Sequence, residues 1–217
     1  MAVHDLIMAA AGIGVKARPT YVATGTRSGS SSGYVDVNKP SGLQVGDLMV
    51  GIAMPQSSTV TWTFPSGWTE VYDPGVRPSP AVAWKIADSS DVSASTFRFQ
   101  STGGGGSWNG AIAAYRGAAF DVVGTSERIT SNTTSITAPA ITVSEDNSIL
   151  IGSFLSDSGG VAVSTAPSGM SLLASNTSRP SSYFYSQNVN AGSSGTKTIV
   201  FDSSNHMGAL LLSIKPA

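Results

Sequence analysis

The sequence contains no cysteine. That excludes disulfide frameworks, thiolate zinc sites and cysteine nucleophiles, so rigidity has to come from packing. Charge is scarce too. Charged residues make up 12% of the 217, about half of the roughly 25% usual in soluble domains, and the formal net charge is −1. A nucleic-acid partner calls for a basic patch, which this composition does not offer. Long apolar runs are missing as well. The longest, residues 7–15, falls short of the ~20 residues that span a bilayer, so no membrane insertion is expected. It also makes a poor signal peptide, because His4 and Asp5 precede it and the first basic residue, Lys16, follows it. Only two histidines are present, His4 and His206.

What the chain has instead is hydroxyl and amide polarity. Serine and threonine together are about a quarter of the residues, and glycine is frequent. Threonine suits strands, and serine, glycine and asparagine suit turns. From residue 20 onward the apolar pattern alternates with period two. Strands are expected over 21–26, 33–37, 47–54, 60–63, 68–72, 81–87, 96–100 and 111–116. Turn chemistry separates them, at Asn38-Lys39-Pro40-Ser41-Gly42, Pro65-Ser66-Gly67, Asp73-Pro74-Gly75 and Asp88-Ser89-Ser90-Asp91.

The same order returns about a hundred residues later. Tyr21–Thr26 matches Phe120–Thr125, Leu48-Met49-Val50-Gly51 matches Ile149-Leu150-Ile151-Gly152, and Pro65-Ser66-Gly67-Trp68 matches Pro167-Ser168-Gly169-Met170. Thr96-Phe97-Arg98-Phe99 matches Thr198-Ile199-Val200-Phe201, and the segment opening at Gly110 matches the one opening at Gly208. A period of that size marks a duplicated unit. The expected fold is therefore all-β: two tandem similar β-sandwich, jelly-roll-like lobes at 20–117 and 118–217. With only Gly117, Ala118 and Ala119 between them, the lobes should abut. The units differ in one respect, since all four tryptophans, Trp62, Trp68, Trp84 and Trp108, lie in the first.

Residues 1–19 stand apart. Val3, Leu6, Ile7 and Ala10 follow helical spacing, and Gly12 and Gly14 act as stop signals before Pro19. A helix this short is marginal alone in water, and its apolar side chains need cover. It is expected to be an anchor, with Val3, Leu6, Ile7 and Met8 docking on a partner or on copies of itself.

Gly46-Asp47-Leu48, Pro65-Ser66-Gly67-Trp68-Thr69, Ala83-Trp84-Lys85-Ile86-Ala87 and Ala113-Ala114-Tyr115-Arg116-Gly117, together with the opening Asp5-Leu6-Ile7-Met8-Ala9-Ala10-Ala11-Gly12, resemble a β-sandwich module of structural proteins in tailed bacteriophages. The resemblance implies a non-enzymatic virion component, such as a tail fibre, a collar or baseplate appendage, or a head decoration protein. It implies other virion proteins as partners, a homo-oligomer, assembly in the host cytoplasm, and no catalytic residues. The second half departs from the pattern at Met170 and lacks the Tyr-Arg-Gly ending.

Signals for chemistry are weak. No Gly-x-Ser-x-Gly elbow is present to aim a nucleophile. His206 reads as a solvated turn residue. Glu70, Asp73, Asp88 and Asp91 fall in or beside turns, where a capped turn explains them better than a glycosidase pair or a Ca2+ site. Gly103-Gly104-Gly105-Gly106 lacks the Lys-Ser/Thr of a phosphate loop and reads as a hairpin tip. Trp108 and Asn109 beside it form a candidate ligand or partner loop, since an aromatic on such a tip can stack on a sugar face. The alternative function is thus a carbohydrate or receptor-binding module that touches host surface glycans through sandwich-end loops. No metal or cofactor is expected.

Overall fold

The computed structural model describes residues 16–29, 33–55, 60–102 and 107–217. The described chain is all-β apart from one short helix, and its sheets are antiparallel. The anchor residues Val3, Leu6, Ile7 and Met8, the stops Gly12 and Gly14, and the run Gly103–Gly106 lie outside the described residues.

The first half contributes β1 (Thr20–Gly29), β2 (Tyr34–Asn38), β3 (Leu48–Pro55), β4 (Trp62–Thr63), β5 (Thr69–Tyr72), β6 (Ala81–Ile86), β7 (Thr96–Ser101) and β8 (Trp108–Arg116). They form a five-stranded sheet in the order β1-β8-β3-β6-β5 and a three-stranded sheet β2-β7-β4. The helix α1 (Ser89–Ser93) grows from the Asp88–Asp91 turn. Asp88 caps its backbone N–H groups while the Asp91 side chain accepts from the Asp88 N–H, a reciprocal capping box.

The second half contributes β9 (Ala118–Val123), β10 (Glu127–Ala138), β11 (Thr142–Val143), β12 (Ser148–Ser156), β13 (Val163–Thr165), β14 (Ser171–Asn176), β15 (Ser181–Val189), β16 (Gly192–Ser193) and β17 (Lys197–Pro216). The large sheet here runs β10-β17-β12-β15-β14, with β9 and β13 also on β17 and a separate β11-β16 pair. β17 is a single 20-residue strand. Its first part pairs with the end of β10 and with β13, and its last part with β12 and β9.

Alternation along the central strands places the cores. In β3, Met49 and Ala53 face the small sheet and pack with Val35, Val37, Phe97 and Phe99. Leu48, Val50, Ile52 and Met54 point the other way, into a core they share with Ile149, Ile151, Leu155, Leu210, Leu212 and Ile214 of the second half. In β12, Leu150 and Phe154 face a third core with Ile136, Ile199 and Phe201. The two large sheets therefore pack on each other, each with a further β layer outside it. All residues of β3 and β12 are buried. Strands covered on both faces read as nearly continuous apolar runs, as Leu48–Pro55 does and as Ile149–Leu155 does apart from Ser153.

Glycines permit the closest approaches. A Cβ on Gly51 would stand 2.7 Å from Trp68 and 2.9 Å from Phe99. At Gly152 it would stand 2.7 Å from Phe154 and 3.2 Å from Met170, the residue that replaces tryptophan in the second half.

Candidate functional site

The functional end of the body, on the sequence reading, is the one that carries the N-terminal segment. Residues 16–19 lie against the turn before β12. Lys16 Nζ is 3.2 Å from Glu145 Oε2, Asn147 Nδ2 donates to the Lys16 carbonyl at 3.0 Å, and Arg18 donates to Asn147 Oδ1 at 3.4 Å. Pro19 is buried. Asn147 adopts a φ of 58°, a left-handed conformation that asparagine tolerates better than most residues. Glu145 is shared, because Lys215 Nζ reaches its other oxygen at 3.3 Å. Hydrogen bonds from Lys16 and Lys215 hold the Glu145 carboxyl below its ordinary value. Behind it, burial pushes Asp121 up, but hydrogen bonds from Ser144 and Ser213 outweigh that and leave it lowered. This end is a small charge network that ties the root of the segment to β17 and β9.

A second cluster spans the seam between the halves. Arg77 lies 3.1 Å from Asp157 Oδ2, and His206 Nδ1 lies 3.5 Å from the same oxygen. Arg179 donates to the Asp157 carbonyl at 3.0 Å, and Arg128 donates to the Arg77 carbonyl at 2.9 Å. His206 sits inside β17 rather than in a free turn, and it is tied to a carboxylate that the sequence did not single out. Among the described residues no serine hydroxyl hydrogen-bonds to it. The arrangement is that of an ion-paired clamp between the loop before β6 and the strand ends of the second half.

Trp108 and Asn109 are not on an exposed loop, so the reading of them as a surface contact is corrected. Trp108 opens β8 and is fully buried, packed edge-on against Trp62 at 5.4 Å. Asn109 points to the opposite face, into the seam. Its Nδ2 donates to the Pro180 carbonyl and, at 3.3 Å each, to the Ser178 carbonyl and the Ser182 hydroxyl. The residue is thus a latch between the halves. Alternation could have placed both, since Trp108, Gly110, Ile112 and Ala114 share one face and Asn109, Ala111, Ala113 and Tyr115 the other.

Three of the four carboxylates weighed for chemistry are used structurally, and the fourth, Glu70, is exposed on β5. Asp73 accepts from the N–H groups of Trp62 at 2.6 Å and Gly75 at 2.9 Å. Asp88 and Asp91 both bind Lys85 Nζ, at 2.9 Å and 2.8 Å, which fills the place a cation would take. Among the described residues, no group of three or more His, Asp or Glu side chains could hold a metal ion, and no helix is long and apolar enough to cross a membrane. Comparison with protein families, with curated proteins and with solved structures found no match.

Proposed function

We propose that this chain is a non-enzymatic structural protein of a tailed bacteriophage virion, built from two copies of one β-sandwich and docked on the particle through its N-terminal segment. The observation that carries this reading is the layered β-body, with the root of an apolar segment tied to one end through Lys16 and Arg18. Low charge and a hydroxyl-rich surface suit a protein whose faces are covered by neighbours.

Duplication is supported by register as well as by sequence. Gly51 faces Ala83 and Ile112 across the ladder, and Gly152 faces Tyr185 and Leu211. Thr69 pairs with Trp84, and Ser171 with Ser186, each followed by a bulge at the next pair but one. The shared core is built from matched partners on this register: Leu48 with Ile149, Val50 with Ile151, Met54 with Leu155, Val82 with Phe184, and Tyr115 with Ile214. A surface that meets its own equivalent is an isologous interface, the kind that a two-fold axis generates. The seam has matched ends too. Pro180 places its carbonyl on Asn109, and Pro78 places its carbonyl where a Cβ on Gly208 would stand.

Mass spectrometry of purified particles of the phage that encodes the chain tests the location. The chain should be present in stoichiometric amount, and its absence from purified particles would overturn the reading. Deletion of residues 1–15, which leaves the Lys16–Glu145 pair in place, tests the segment. The truncated chain should stay folded and fail to join particles; normal incorporation would remove the docking role.

A further inference from the structure

We infer that the cluster around Asp157 at the seam is a binding site for a dianionic phosphate group, built on Arg77, Arg128, Arg179 and His206. Register and contacts put these side chains in one place. Arg128 pairs with Gly208 and so shares its face. That face is the seam, because a Cβ on Gly208 would run into the Pro78 carbonyl. His206, two residues back on β17, has Nδ1 3.5 Å from Asp157 Oδ2, and Arg77 comes within 3.1 Å of the same oxygen from the first half. Arg179 Nε donates to the Asp157 carbonyl at 3.0 Å, and Arg128 Nη1 donates to the Arg77 carbonyl at 2.9 Å. One buried carboxylate thus sits among three guanidinium groups and an imidazole. Glu127, the acidic neighbour of Arg128, pairs with Ala209 and falls on the opposite face.

Charge at this cluster does not balance. Among the described residues, Lys16, Arg77, Lys85, Arg98, Arg116 and Lys215 each have a carboxylate partner, whereas Arg128 and Arg179 have only their carbonyls. Asp157 offsets one of the three guanidinium charges, so two stay uncompensated in a chain whose net charge is −1. Arg128 and Arg179 are both exposed. Each spends one N–H group on a backbone carbonyl, which fixes where its guanidinium lies, and presents the remaining N–H groups to water. A planar fork of that kind takes carboxylate or phosphate oxygens in pairs. Asp157 already supplies a singly charged carboxylate. The two uncompensated charges match a group with two negative charges on one centre, as phosphate and its monoesters approach at neutral pH.

The duplicated fold does not require these charges. Gly51 and Gly152 hold equivalent places, and further along the same strands Pro55 pairs with Trp108 and Ser156 with Met207. On that register Gly208 corresponds to Asn109, one residue from the match read off the glycines. Arg128 then corresponds to Ser28, and His206 to Ser107. The first half builds the same corner of the seam with serines. Arg77 and Arg179 are matched between the halves, in Arg77-Pro78-Ser79 and Arg179-Pro180-Ser181. Arg128 and His206 are additions of the second half, and with them the charge accumulates at one corner alone. Phosphate binding here does not depend on virion assembly, and the soluble chain suffices to test it.

The experiment is NMR of the full 15N-labelled chain at neutral pH and low ionic strength, titrated with inorganic phosphate and with glycerol phosphate. Acetate and chloride at matched ionic strength, and glycerol, are the comparisons. Inorganic phosphate, with or without its ester, should give saturable shifts of the Nε–H signals of Arg128 and Arg179 and of the amides of Asp157 and His206, and added salt should weaken them. Arg128→Gln and Arg179→Gln should each raise the Kd about fivefold, the upper end for an exposed ion pair, and the double variant should lose saturable binding. Both side chains are exposed, so these substitutions leave the fold intact. Arg98→Gln removes the same charge from the small sheet, where Arg98 pairs with Asp36, and should bind as the native chain does. Tighter binding of the ester assigns the site to phosphate carried on a larger molecule, and equal or tighter binding of inorganic phosphate assigns it to the free ion. The proposal is overturned by no shifts with either phosphate, by shifts only elsewhere, or by equal shifts with acetate, chloride or glycerol. It is also overturned by binding of the ester without inorganic phosphate, by Arg128 and Arg179 variants that bind as the native chain does, or by an equal loss in Arg98→Gln.

Discussion

At the scale of single residues, the consequential side chains are polar ones inside the seam. Asn109 is fully buried and serves three acceptors of the other half. Asn109→Ala leaves the buried Pro180 carbonyl without its donor, so it should cost about 1–3 kcal/mol. A lowered urea midpoint with unchanged slope would show this, and an unchanged midpoint would contradict the latch. Tyr115 makes the opposite case. Its ring fills the shared core, but its hydroxyl is buried with no hydrogen-bond partner. Tyr115→Phe should therefore be neutral or stabilising by up to about 1 kcal/mol, again read from the urea midpoint. Glu145 gives a pH dependence. Its carboxyl titrates below its ordinary value of 4.5 because Lys16 and Lys215 hold it charged. A depressed carboxylate contributes above its unfolded pKa and loses that contribution as pH falls through the folded one. The NMR signals of the Asn147 side-chain amide, which donates to the Lys16 carbonyl, should thus hold their positions at neutral pH and move once pH drops below about 4. Added salt should weaken the same contact at neutral pH, because the pair is exposed.

At the scale of elements, much of the fold was written in the chain. Turn dipeptides and period-two runs placed β2 to β7 within two residues of where they lie, because Pro, Gly and Asp end strands for local reasons, but fell three residues short at the end of β1 and at the start of β8. Three features were not legible. The turn-like Asp202-Ser203-Ser204-Asn205 lies inside β17, where pairing of Thr133 with Asn205 carries the strand through. Local composition could not anticipate a partner some seventy residues away. The Asp88–Asp91 turn became a helix because both aspartates cap it, which needs side-chain geometry that the sequence only permits. Trp108 was misplaced because its glycine and asparagine neighbours look like loop, although its alternation with Ile112 and Ala114 pointed inward. Of the candidate site, the Lys16–Glu145 contact and the seam clamp are long-range and invisible to any local pattern, whereas the glycines at 51 and 152 were visible as the marks of repetition. They also yield a prediction. Gly51→Ala would force a methyl group against Trp68 and Phe99, and overpacking of that kind costs about 1–3 kcal/mol. Urea unfolding measures it, and a gain in stability would mean that the two rings can shift.

At the scale of the whole molecule, the shared core ties the fate of one half to that of the other. All four tryptophans lie in the first half, while strands of both halves contribute to the far-ultraviolet signal. If the seam couples the halves, tryptophan fluorescence and circular dichroism should report one transition with one urea midpoint. Two separated midpoints would mean that each half stands on its own. The seam has a further consequence for behaviour at low concentration. Two free subunits that met through such a surface would separate on dilution, with a balance set by their number per volume. Here a one-residue joint, Gly117 between β8 and β9, keeps the partners at a mutual concentration in the millimolar range or above however dilute the chain becomes. The pairing is first-order, insensitive to copy number, and already satisfied in a single molecule. Its self-complementary face is used up internally, so any growth into larger assemblies has to proceed through other surfaces.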